Sequence, residues 1–450
     1  MKTIMAPKKH FLVLFLLIAL TVVFSATPKL SQAQTRHTEG LIESKPNTFA
    51  IVGATVHVSP TKSIENGTII VRNGKFEAVG ADLEVPADAK KFDVEGKHVY
   101  AGFIESYLSA DIELPEDKGT AYWNTNVRSH VVVAEQFNRS LLDFKKMREG
   151  GFTSALVVPK NGVLKGTSSF MLLSEAEPES LLLNSKVAQH ALLTASRGGR
   201  GYPNSPMGAV ALARQTFLDA QWYQKAHRAA KVEPSIGVPE TNSSLAALEP
   251  VLTGEMPLVI ETSNELFVLR ADRFAKEFGV RLIVKGNGNE YRRLNAISEL
   301  GKPIILPLNF PAPPDVSDPT AAMDVSLETL MHWDHAPENP GRLANAGVPI
   351  ALTSAGMKKP TQFIEKLGVA VKRGLAPESA LAAITTVPAK LFGVQDQVGS
   401  IESGKIANLV VLDKPLFEHK TKIVETWVAG IRYPANAKKP DKPTGSWIIE

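Results

Sequence analysis

Between residues 141 and 353 the chain alternates between stretches of helical period and short apolar runs bounded by turns, and this rhythm constrains the fold most. A helical stretch at 141–149 precedes a strand at 153–159, 266–278 precedes 281–284, 291–300 precedes 303–307, and 342–346 precedes 349–353. Such alternation implies βα units on a parallel sheet. In one unit Phe267, Ala271, Phe274 and Phe278 share a helical face, Ser263 or Asn264 can cap the start, and Gly279 ends it. Nearly 290 residues from Gly102 to Lys390 suit a closed eight-stranded barrel with insertions.

The flanking segments read differently. Short strands are expected over 49–56, 67–72 and 76–80, with Asn66-Gly67 and Asn73-Gly74 as turns. Asn-Gly favours a hairpin because both residues tolerate positive φ. A second strand-rich block covers 399–413 and 423–431. Residues 434–443 are rich in Lys, Pro and Ala, as linkers are, and Gly445-Ser446-Trp447-Ile448-Ile449-Glu450 has the pattern of a further strand.

At the N-terminus, Lys8 and Lys9 precede an apolar run over 11–26, followed by Ser31-Gln32-Ala33. That order is a secretory signal peptide cut after Ala33, and the run is shorter than the roughly 20 apolar residues of a spanning helix. The expected location is periplasmic or extracellular, with no stable membrane anchor after cleavage. Removing 1–33 takes Lys2, Lys8, Lys9 and Lys29 and no acid, so Lys+Arg falls from 50 to 46 and equals the 46 Asp+Glu. A mature chain near neutrality offers no basic surface for nucleic acid. The sequence has no cysteine, which excludes disulfides, thiol catalysis and a lipidated N-terminal cysteine. An exported chain of this kind relies on a large packed core, which 44% hydrophobic residues can supply.

Residues 97–109 read Lys97-His98-Val99-Tyr100-Ala101-Gly102-Phe103-Ile104-Glu105-Ser106-Tyr107-Leu108-Ser109. This resembles the first barrel strand of the amidohydrolase superfamily, where Gly-Lys, two residues and Pro-Gly-Phe-Ile-Asp lead into His-x-His. The stretch from Gly399-Ser400-Ile401-Glu402 to Asp413 resembles that superfamily's C-terminal signature, with Asn408 for the usual Asp. Gly150-Gly151-Phe152-Thr153-Ser154 and the run from Gly374 to Gly393 match as well, and 201–223 is similar to an exported, imidazolonepropionase-like branch. The resemblance covers residues 49–433. It implies a (β/α)8 TIM barrel over 102–393, flanked by a composite β-sandwich built from 49–101 and 394–433. Residues 1–33 are then the signal peptide, 34–48 a flexible lead and 434–450 a linker or tail. The implied activity is hydrolysis of carbon–nitrogen bonds in amide or cyclic amide substrates, with a divalent metal such as zinc.

In that superfamily the metal ligands sit at the C-terminal ends of strands: His-x-His on the first, Lys or Glu on the fourth, His on the fifth and sixth, Asp on the eighth. The metal lowers the pKa of its water to about 7 and polarises the carbonyl. Here the first strand offers Glu105, Tyr107 and Ser109, all of one parity. The fifth ends in Glu261, the sixth in Lys285-Gly286, and the eighth in Ser354-Ala355, with Ala355 at the Asp position. The fourth-strand position is not assigned from sequence. No expected histidine survives, so no metal is expected. An ion pair between Glu261 and Lys285 would replace the missing charge; alternatively Lys285 is solvated and Glu261 caps the next helix.

Other clusters are weaker. His332-Trp333-Asp334-His335 has a ligand-like look, but Pro337 and Pro340 follow it and a surface loop is expected. Ser196-Arg197-Gly198-Gly199-Arg200-Gly201 could cradle an anion, yet it lacks a P-loop ending and reads as an insertion loop. Ser109, Tyr107 and Lys285 could be cast as nucleophile, acid and activating amine, though no nucleophile elbow accompanies them. The residues favour a catalytically degenerate barrel working with a competent amidohydrolase unit in cis or trans. Two alternatives stay open: a non-catalytic extracytoplasmic protein binding a small-molecule ligand, and a metal-independent hydrolase with an atypical site.

Overall fold

A computed structural model describes residues 47–114, 119–194 and 201–435. The expected signal peptide, the lead up to residue 46, the Gly-rich segment over 196–200 and the tail beyond 435 lie outside the described residues. Five strands come first: β1 (Thr48–Ser59), β2 (Lys62–Arg72), β3 (Lys75–Gly80), β4 (Lys90–Asp93) and β5 (His98–Ala101). Eight follow: β6 (Phe103–Ala110), β7 (Phe152–Pro159), β8 (Leu164–Leu172), β9 (Leu182–Leu192), β10 (Leu258–Glu261), β11 (Leu282–Lys285), β12 (Ile304–Pro307) and β13 (Ile350–Thr353). The last three are β14 (Leu409–Leu412), β15 (Ile423–Val428) and β16 (Ile431–Pro434). The helices used below are α1 (Phe144–Glu149), α2 (Pro206–Val232), α3 (Glu265–Phe278), α4 (Pro319–Asp324), α5 (Leu327–His335), α6 (Asn339–Asn345) and α7 (Phe363–Lys372).

The flank is composite. Its sheet runs β16-β15-β14-β5-β1-β2-β3, with β4 paired to β1, so the two ends of the chain form one sheet through the antiparallel β5–β14 pair. Ile51, Ile69, Phe76, Val99, Leu409 and Trp427 pack on it as one buried cluster. Asn73-Gly74 makes the expected turn, at φ +51° and +75°. Asn66-Gly67 does not. β2 passes straight through it, the chain reverses at 60–61, and Asn66 sits in a bulge where the β1–β2 register shifts. Glycine is needed at 67 for closeness: a Cβ there would lie 2.7 Å from Val56 Cγ2.

The barrel sheet is ordered β6 through β13. Its interior is filled by Ile104, Leu156, Phe170, Val259, Ile283 and Ile305, among others. No ladder joins β13 to β6, but Thr353 and Ser354 hydrogen-bond Glu105 across that seam, leaving the barrel nearly closed. β6 runs parallel to β7, and β9 through β13 are mutually parallel. β8 is antiparallel to both β7 and β9, which corrects the expectation of a uniformly parallel sheet. Residues 160–163 alone join β7 to β8, and a parallel crossover needs about a dozen or more residues. Asn161-Gly162 in that link is a hairpin signal.

The βα unit at α3 follows the sequence closely. Asn264 Oδ1 accepts from the N–H groups of Leu266 and Phe267, and Gly279 ends the helix. Val268, Ala271, Phe274 and Phe278 are buried, whereas Phe267 is half-buried. Other helices are shorter than their patterns: 291–300 resolves into a 3-10 turn at Glu290–Arg293 and a helix at Leu294–Ser298.

Candidate functional site at the barrel mouth

Parallel strands deliver their C-terminal residues to the mouth, so Glu261 closes β10 and Lys285 closes β11, paired in register. The reversed β8 begins there instead, and its second residue is Lys165. Gly166 follows at φ +118°, and the β8–β9 register slips between Leu164 and Gly166. Such a bulge re-aims a side chain, and a Cβ on Gly166 would collide with the Val131 carbonyl oxygen.

Lys165 Nζ and the Tyr107 hydroxyl both donate to Glu261 Oε1. The Lys165 side chain is 4% exposed and that of Glu261 23%. Burial first, and the Glu261 carboxylate second, push the Tyr107 phenol well above its ordinary range, so it is a neutral donor. Lys285 forms no ion pair with Glu261. Its Nζ donates to the Gly286 carbonyl at 2.8 Å and stands 5.5 Å from the centre of the Tyr107 ring. Burial pushes the Lys285 ammonium below its usual value, Glu261, Glu290 and Glu105 oppose that, and Lys165 adds to it. Both sequence expectations are thereby corrected: Lys285 is neither paired with Glu261 nor solvated, and Glu261 takes its cation from Lys165.

Glu105 is fully buried. Its carboxylate accepts from Tyr107 N at 3.0 Å, Ser354 N at 2.9 Å, Ser354 Oγ at 2.5 Å and the Thr353 hydroxyl. These donors satisfy a carboxylate that forms no ion pair among the described residues, as a buried charge requires. The β6 register shifts between Glu105 and Leu108. The three candidates of β6 consequently diverge: Glu105 reaches β13, Tyr107 reaches β10, and Ser109 is exposed. The expected single parity fails at that bulge. Ala355 N donates to Thr353 Oγ1 at 3.0 Å, and its side chain packs half-buried against the barrel interior.

Sequence reasoning assigned no role to Lys165, Thr353 or His190. His190 lies on β9, the fourth strand, with its ring edge-on to Tyr107 at 5.6 Å and neither ring nitrogen hydrogen-bonded. Burial first, and Lys165 second, hold it well below the usual histidine value and therefore neutral. The signal for Lys165 was present: it is the single charge in the otherwise uncharged buried run of β8.

This donor set does not fit a divalent cation. A metal needs three or more converging ligand atoms. Here the mouth offers one unbonded imidazole, His190, beside a carboxylate bonded to an ammonium and a phenol, a second carboxylate saturated by four donors, a buried lysine and a methyl group. Among the described residues, three metal-ligand types converge within 4.8 Å at Asp334, His335 and Glu338. Those lie on α5 and the turn after it, which corrects the expected loop. Arg373 bonds Asp334 at 2.6 Å, and Arg342 bonds Glu338 at 2.5 Å, so guanidinium groups already balance them.

The family model of the amidohydrolase family matches residues 337–434, from the helix before β13 to the end of β16. Over this C-terminal segment the chain resembles the amidohydrolase family. It is 37% identical over 87 residues to an imidazolonepropionase of Shouchella clausii (strain KSM-K16), covering 18% of this chain and 19% of that protein. The match thus spans about a fifth of the curated relative's length. An amidohydrolase structure from Thermotoga maritima MSB8 superposes with a TM-score of 0.70 at 24% identity, covering 85% of this chain and 99% of the other. A prolidase complexed with N-methylphosphonate-L-proline gives 0.51 at 17% identity over 86% and 99%. At these identities both share the amidohydrolase fold, a barrel beside a composite sheet.

Proposed function

We propose that this chain is an exported amidohydrolase-type barrel that does not build a hydrolytic metal centre of its own and acts beside a metal-bearing amidohydrolase unit, in cis or in trans. The observation that carries this reading is the Lys165 ammonium seated on Glu261 at the mouth. A divalent ion at that carboxylate would meet like charge from Lys165, where one pair of unit charges 4 Å apart costs roughly 4 kcal/mol at an effective dielectric of about 20. Tyr107, Lys285 and Ala355 add no anionic donor. Likeness to an imidazolonepropionase supports amides or cyclic amides as the substrate class of the companion. A metal-independent hydrolase finds less support: Ser109 is exposed, and the phenol of Tyr107 is engaged by Glu261.

The test is metal content and turnover of the purified mature chain after incubation with zinc, manganese or ferrous iron and desalting. Substoichiometric metal, and hydrolysis of a cyclic-amide panel no faster than buffer, are expected. One ion per chain, lost in Glu261→Gln, would overturn the proposal. Chelator-resistant turnover by the chain alone would overturn it in favour of a metal-free enzyme.

A further inference from the structure

Exposed apolar surface on this molecule is not scattered. Of seventeen large apolar side chains that stand exposed among the described residues, sixteen lie in the connections leaving the C-terminal ends of β6, β9, β10 and β12. Concentrations of this kind mark interaction sites, whereas single exposed apolar residues do not.

Two patches stand out. The first is the outer face of α2. Ala209, Leu212, Phe217 and Ala220 face inward and are buried. On the opposite side, Met207, Leu218, Trp222 and Val232 recur at intervals that keep them on one line along the helix. Trp222 is 60% exposed and Val232 86%. From residue 220 to 232 the only charged side chains are Lys225, Arg228 and Lys231, and none forms an ion pair among the described residues. The patch is apolar and basic.

The second patch is α4 with α5. Neither helix has a single buried residue. Helices of six and nine residues are marginal unless an apolar face is packed. Met323 is 87% exposed and Leu327 72%, and Leu330 and Met331 follow at helical spacing. Residues 308–341 contain no lysine or arginine; Arg292, Arg373 and Arg342 from outside that span pair with Glu328, Asp334 and Glu338, which leaves Asp315, Asp318 and Asp324 without an ion pair among the described residues. This patch is apolar and acidic.

We infer that the occupant of these patches is a second copy of this chain, α2 of one protomer lying on α4 and α5 of the other, and the reverse. Each molecule carries both halves of a charge-complementary apolar pair. The halves stand on different barrel connections, so a two-fold axis lying across the mouth between them sets basic on acidic twice. Such a reciprocal contact is closed and self-limiting. This inference does not rest on the reading of the mouth.

Light scattering and sedimentation of the purified mature chain test it, with two exposed double variants, Lys225→Glu/Arg228→Glu and Asp315→Lys/Asp324→Lys. Wild type is expected to dimerise, more tightly at about 0.05 M than at about 0.5 M salt. Each variant alone sets like charge on like charge and should weaken the dimer by about tenfold or more, while an equimolar mixture restores it through complementary pairing. Circular dichroism of the variants checks that folding is unchanged. A wild-type chain that stays monomeric overturns the inference. So does a dimer indifferent to both swaps, or association only with a different amidohydrolase barrel.

Discussion

Replacing Lys165 with methionine removes the cation from Glu261 while leaving much of the aliphatic volume. Removing one partner of a buried ion pair costs about 3–5 kcal/mol, because the other charge is left uncompensated. Two features of this site reduce that figure. Glu261 is 23% exposed, and it keeps the hydrogen bond from the Tyr107 hydroxyl. A loss of about 2–4 kcal/mol is therefore expected, read as a shift of the urea midpoint followed by circular dichroism. Glu261→Gln should cost a similar amount by stranding Lys165, which is only 4% exposed. The double variant should be more stable than the sum of the two losses implies, with a coupling of about 2 kcal/mol or more. A Lys165→Met loss below about 0.5 kcal/mol, typical of a solvated surface pair, would refute the assignment of Lys165 as the internal cation. Additive losses would refute it equally.

Gly166→Ala forces a side chain onto a backbone at φ +118° and into the Val131 carbonyl; a loss above about 2 kcal/mol is expected, and an unchanged urea midpoint would contradict the bulge. Ser354→Ala takes one hydrogen bond from the buried Glu105 carboxylate and should cost about 1–3 kcal/mol in thermal melts, with Ser354→Thr milder; equal losses would count against the hydroxyl's role. In the flank, burial first and the neighbouring His98 second lower the His57 pKa from 6.5 to about 4. The unfolded chain then takes up the proton first, so this contribution is intact above pH 6.5 and is lost as pH falls from 6.5 towards 4. The full gap corresponds to roughly 3 kcal/mol, which partial exposure of the ring reduces to about 1–2 kcal/mol. His57→Phe should flatten the stability–pH profile in that window, and identical profiles would sink the explanation.

Much of the architecture was legible because it is written in short-range periodicity. The α3 unit shows this: its cap at Asn264 and its buried Ala271, Phe274 and Phe278 all follow from spacing alone. The strand ends carrying Glu261 and Lys285 were legible for the same reason, and they pair in register as adjacent strands should. Reading failed where an insertion changed a local count. At Asn66-Gly67 the turn signal marks a bulge, because glycine there serves contact with Val56. At β6 one bulge sends Glu105 and Tyr107 to different partners, which strict alternation does not anticipate.

The amino-acid sequence alone determined that this chain builds an amidohydrolase-type barrel with a composite flank, and it placed Glu261 and Lys285 at the ends of adjacent strands. Only the tertiary structure decided what fills the mouth. The direction of β8 depends on a four-residue link and on strands distant in sequence, and that direction brings Lys165 to Glu261, 96 positions away. Periodicity reports which face of an element is buried. The partner that compensates a buried charge depends on how elements are ordered around the barrel, and that order is a property of the packed chain as a whole.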